Sequence, residues 1–74
     1  MIICKDEMAL NLEKFVKFCI ENDEKIEGED LFMIHFYIDG LNFSTIYFES
    51  EMDRDNAFFR IIQEYEEGKR VVYL

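Results

Sequence analysis

Residues 31–48 read LFMIHFYI-DG-LNFSTIYF. The two flanking runs are rich in Phe, Tyr and Ile, which suit a pleated, half-buried surface. Asp39-Gly40 between them fits a two-residue type I′ turn, in which both central residues take positive φ. The stretch is therefore expected to be a β-hairpin. With a two-residue turn, Ile38 faces Leu41 and, counting outward, Asp30 faces Glu49. That register puts Phe32, Ile34, Phe36 and Ile38 with Leu41, Phe43, Thr45 and Tyr47 on one almost wholly apolar face, the expected core face. The other face carries Leu31, Met33, His35 and Tyr37 with Asn42, Ser44, Ile46 and Phe48. It is polar near the turn and apolar near the open end, and the apolar half needs cover. A longer turn would shift the register and reassign both faces.

After the hairpin, SEMDRDNAFFRIIQEYEEG predicts a helix over residues 51–67. Ser50 can cap it, and Glu51, Asp53 and Asp55 sit favourably near its positive end. Phe58, Ile61, Ile62 and Tyr65 fall on one stripe at helical spacing. Gly68 can end the helix, and VVYL reads as a short terminal strand. Residues 9–21 read two ways. Leu12, Phe15, Val16, Cys19 and Ile20 have helical spacing, but Val16, Phe18 and Ile20 also alternate with Lys17, Cys19 and Glu21. The aromatic and β-branched content of KFVKFCI favours a strand; a helix would give the order of a ferredoxin-like βαββαβ fold. Either way residues 1–74 form a single α+β domain, a small antiparallel sheet of three to five strands packed on one C-terminal helix.

The net charge is −9, and its distribution is uneven. Residues 21–30, ENDEKIEGED, hold six acids against Lys25, net −5; residues 49–55, ESEMDRD, hold four acids against Arg54, net −3. Together they account for −8 of the −9, because residues 1–20 and 56–74 each balance three acids with three bases and residues 31–48 add only Asp39. The two stretches flank the hairpin, whose outer ends lie side by side, so they are expected to meet at one acidic pole. In the two-residue-turn register Asp30 opposite Glu49 is a destabilising like-charge pair.

Such a charge disfavours direct binding to nucleic acid, which needs clustered Lys and Arg, and binding to anionic membranes. It favours a basic protein partner. No signal peptide is expected from the opening residues, and no apolar run approaches the ~18 residues of a membrane span, so the expected location is cytoplasmic, with Cys4 and Cys19 reduced. Two Cys and one His cannot complete a tetrahedral zinc site. The acidic runs lack the D-x-[DN]-x-[DN]-G pattern of a Ca²⁺ loop. His35 faces Ser44 in the assumed register, but no orienting carboxylate or oxyanion donor is indicated, and an ordinary sheet histidine is the simpler reading. Cys4 and Cys19 read as small core residues. Phe15 with Phe18, or Phe58 with Phe59, could stack on bases, but the charge opposes it, and Lys69 and Arg70 are too few for a basic patch. No catalytic signature and no cofactor motif is present.

Two functional expectations remain. One is a non-catalytic binding protein in which Asp23, Glu24, Glu27, Glu29, Asp30, Glu49, Glu51 and Asp53 occupy a partner's phosphate site while Leu31 and Phe48 slow dissociation. Small, strongly acidic, cysteine-poor chains of this kind look like phage-encoded inhibitors that mimic nucleic acid, such as anti-CRISPR proteins and restriction inhibitors; the likeness is one of size and charge. The other is a module that homodimerises through its sheet, its charge serving solubility alone.

Overall fold

The computed structural model describes residues 1–21, 25–26 and 29–74. In chain order it holds β1 (Ile2–Lys5), β2 (Met8–Asn11), a 3-10 turn (Leu12–Lys14), β3 (Lys17–Ile20), β4 (Lys25–Ile26), β5 (Glu29–Asp30), β6 (Phe32–Tyr37), β7 (Phe43–Phe48), α1 (Glu51–Glu66) and β8 (Val71–Tyr73). They build two three-stranded sheets, β2-β1-β8 and β3-β6-β7, and a small β4-β5 ladder. The β1–β8 pairing is parallel and the others are antiparallel. Side chains from both larger sheets and from α1 share one core, in which Ile3, Ile34, Phe36, Ile61 and Val72 are fully buried. Each such side chain contributes roughly 1.5–3 kcal/mol relative to its exposed state. Phe18 stacks on Phe36 with centroids 5.6 Å apart, and Phe58 tilts against Phe18 at 5.3 Å. The α+β class expected from the sequence is the one observed.

Residues 9–21 take the strand reading, so the ferredoxin-like alternative falls. Lys17–Ile20 pairs antiparallel with β6, Phe18 opposite Phe36 and Ile20 opposite Ile34. A strand here gives β6, the most buried strand, a hydrogen-bonding neighbour on its second edge; a helix would leave those buried amides unpaired. Between β2 and β3 the chain makes only one 3-10 turn, with the Asn11 side chain accepting from Glu13 N–H at 3.2 Å.

The hairpin is present, but its turn and register differ from expectation. Phe32 pairs with Phe48, Ile34 with Ile46 and Tyr37 with Phe43. The Ile38 N–H donates to the Asn42 carbonyl at 2.8 Å, closing a loop over Asp39, Gly40 and Leu41. The Asp39 carboxylate organises it, accepting from the Leu41 and Asn42 N–H groups at 2.8 Å and from Asn42 Nδ2 at 2.9 Å. Gly40 is not in the positive-φ region that a type I′ turn demands. The physical reason is that an aspartate side chain can replace the backbone turn by binding amides two and three residues on. The extra residue exchanges the faces of β7. Ser44, Ile46 and Phe48 join Phe32, Ile34 and Phe36 beneath α1, while Phe43, Thr45 and Tyr47 lie opposite Tyr37, His35 and Met33 on the outer face. Asp30 does not face Glu49; its ladder partner is Lys25.

Helix α1 begins where expected, with the Ser50 hydroxyl accepting from Asp53 N–H at 3.1 Å. It ends in a Schellman arrangement at Gly68, φ 76°: Lys69 N–H donates to the Glu64 carbonyl and Gly68 N–H to that of Tyr65, both at 3.0 Å. Its buried stripe starts a turn earlier than predicted, with Arg54, Ala57 and Ile61 buried. Tyr65 is 58% exposed. The stripe shifts because the first turns of α1 lie over the Phe32–Phe48 end of the sheet, where the Arg54 guanidinium covers the Phe32 ring at 5.6 Å.

Candidate functional site

Strand β7 delivers the chain directly into α1, so the Phe32–Phe48 end of the ladder is also the helix entry. Glu49, Glu51 and Asp53 are all exposed there. Arg54 is buried beneath them, and its guanidinium reaches Asp55 at 3.1 Å and Glu51 at 3.6 Å. The helix terminus supplies a further favourable field for carboxylates in this first turn. Among the described residues, Glu49 and Asp53 enter no ion pair. Beside them a shallow depression of about 400 Å³ is lined by Lys5, Asp6, Phe48, Glu49, Asp53 and Arg60, among others. Its cations are already engaged: Lys5 with Asp6 at 3.0 Å and over the Phe48 ring at 5.2 Å, Arg60 with Glu64 at 3.5 Å.

The sequence-predicted site residues divide accordingly. Glu49, Glu51 and Asp53 come together at the helix entry. Glu29 and Asp30 form the backbone of β5, which ends two residues before Phe32. Asp23, Glu24 and Glu27 lie outside the described residues. Leu31 is half-buried. Phe48 requires correction: it is 9% exposed and part of the core, because the longer turn moves it to the inner face, and it shows only an edge in the depression beside Glu49. Ile46 and Met33, expected in the same apolar patch, are also buried. The exposed apolar side chain at this end is Met52, 71% accessible in the first turn of α1. Sequence reasoning passed over it because it falls off the predicted stripe, although an apolar residue on the polar face of a helix was signal enough.

A second polar cluster occupies the outer face of β3-β6-β7. The Cys19 thiol and the Tyr37 hydroxyl both donate to Glu21 Oε1, at 3.2 and 2.9 Å. Those two bonds, the one from Cys19 foremost, hold the Glu21 carboxyl below its usual range. The Glu21 bond raises Tyr37, and desolvation followed by Glu21 raises Cys19, so both stay protonated at neutral pH. A thiol held in that state is a poor nucleophile. His35 Nδ1 and Thr45 Oγ1 are hydrogen-bonded at 2.8 Å, and Phe43 lies against the imidazole at 4.3 Å. Thr45, not Ser44, faces His35 because of the register change. The cluster ties three strands together; Cys4 and Cys19 are half-buried free thiols rather than fully enclosed core residues.

Among the described residues, no three His, Cys, Asp or Glu side chains gather closely enough to hold a metal ion, and no helix is long and apolar enough to cross a membrane. Comparison of the chain with protein-family models, with curated proteins and with solved structures finds no match.

Proposed function

We propose that this chain is a non-catalytic acidic binding protein whose helix-entry pole captures a basic protein partner at a surface meant for phosphates, in the manner of phage-type inhibitors that mimic nucleic acid. The observation that supports the reading is the register: with Phe32 opposite Phe48, the described Glu29–Asp30 backbone leads into, and Glu49 leads out of, the same end of one ladder. Glu49 and Asp53 are exposed there without an ion-pair partner among the described residues. Desolvated phosphate-binding Arg and Lys side chains would find carboxylates at this pole, and association would be steered by the long-range field. Met52 supplies the exposed apolar contact that slows dissociation.

Competition tests the reading. An arginine-rich DNA-binding peptide is first bound to a labelled duplex and the chain is then titrated in. Release of the duplex is expected, with weaker release by a Glu49→Gln/Asp53→Asn variant. A ternary complex of peptide, duplex and chain, or no displacement at low salt, contradicts it.

A further inference from the structure

The depression beside Glu49 and Asp53 already holds a cation, and that cation belongs to the chain itself. Lys5 Nζ lies 5.2 Å from the centroid of the Phe48 ring and 3.0 Å from Asp6 Oδ2. An ammonium over a ring face is attracted by the ring quadrupole. Three carboxylates line the same depression: Asp6 from the β1–β2 turn, Glu49 and Asp53 from the helix entry. An aromatic surface among carboxylates is a seat for one ammonium or guanidinium group. Arg60, the other cation of the depression, is drawn off by Glu64 at 3.5 Å.

Lys5 can leave this seat without disturbing the fold. Its backbone is held, because it pairs with Met8 in the β1–β2 ladder. The turn that follows is set by Asp6 at φ 54°, a conformation that Asp adopts more readily than most residues. Only the four-carbon stem has to rotate. The Asp6 side chain is 83% exposed against 24% for Lys5. Asp6 can therefore hold the ammonium in solvent as well as over the ring, and an exposed pair of this kind is weak enough to rearrange.

We propose that Lys5 is an intramolecular pseudo-ligand: it occupies the seat that one arginine side chain of the basic partner takes, and it swings out when that side chain enters. The inference rests on the proposed capture at this pole and adds a regulation of it. Arginine is the occupant that gains from the exchange. Its planar guanidinium stacks on an aromatic face and donates to carboxylates through a fork, whereas an incoming ammonium only replaces one like itself. Lys5 thus keeps the seat filled in the free chain, and capture is weaker by the strength of its contact with Phe48.

The dissociation constant of an arginine-rich peptide, measured for wild type, Lys5→Met, Lys5→Arg and Lys69→Met, tests this, with circular dichroism to check each fold. Lys69 is exposed beyond the C-terminal end of α1, so Lys69→Met makes the same change in net charge away from the seat. Lys5→Met should tighten binding by about two- to fivefold more than Lys69→Met does. Lys5→Arg keeps the net charge and puts a better stacking group in the seat, so it should weaken binding. In the wild type, the Lys5 Hε resonances, shifted by the Phe48 ring current, should move to ordinary positions as the peptide saturates. Equal effects of Lys5→Met and Lys69→Met, unchanged affinity in Lys5→Arg, or Lys5 resonances that stay in place would overturn the inference and leave capture at the pole standing. Absence of binding by all four proteins would remove capture itself, and the inference with it.

Discussion

Asp39 decides which side of β7 faces the core. Its carboxylate accepts three hydrogen bonds from Leu41 and Asn42. These bonds, that from the Asn42 side chain first, hold its carboxyl below the ordinary aspartate range. A depressed folded-state value means that the stabilisation is present above the unfolded pKa, about 3.9, and is lost as pH falls through the folded value. Asp39→Ala should therefore lower the melting temperature at neutral pH, and the gap to wild type should close in strong acid. A gap that is constant with pH would mean the carboxylate does not organise the turn. The sequence offered Asp39-Gly40 as a turn dipeptide, but one aspartate serves a two-residue turn through its backbone or a three-residue turn through its side chain, and composition does not separate the two. Phe48 was consequently read on the wrong face.

At the scale of elements, the hairpin and α1 were legible because each is announced twice, by periodicity and by end signals: Ser50 and Gly68 for the helix, the turn residues for the hairpin. Residues 9–21 were not, because their apolar positions fit both periods, and only the need of β6 for a second neighbour resolves them. The parallel pairing of β8 with β1 joins residues at opposite ends of the chain, and no local pattern encodes it. The acidic character of the helix entry was legible, but the burial of Arg54 within it was not, since a lone arginine in an acidic run reads as a surface residue. The two glycines test the element ends. Gly68 lies in the left-handed region with open space around it, so Gly68→Ala should lose about 1–2 kcal/mol to backbone strain alone. Gly40 lies outside that region and is also open, so Gly40→Ala should be neutral or stabilising by about 0.4–1 kcal/mol. Urea denaturation of both variants checks this; a loss at Gly40 as large as that at Gly68 would restore the type I′ turn.

At the scale of the whole molecule, the chain has two unlike ends. One is the helix entry, where Glu49, Glu51, Asp53 and Asp55 surround the buried Arg54; the other exposes Val16, Ile38 and Leu41. The β6–β7 ladder and α1 span the distance between them, and the shared core keeps that distance fixed. Capture of a basic partner at the charged end is an electrostatic claim, and its signature is the dependence on salt. The most direct measurement is the dissociation constant of an arginine-rich peptide across a salt series, for the wild type and for Glu49→Gln/Asp53→Asn. Log Kd should rise linearly with log salt concentration, and the variant should show a shallower slope as well as weaker binding at low salt. Affinity indifferent to salt, or a slope unchanged by removing both carboxylates, would contradict the account.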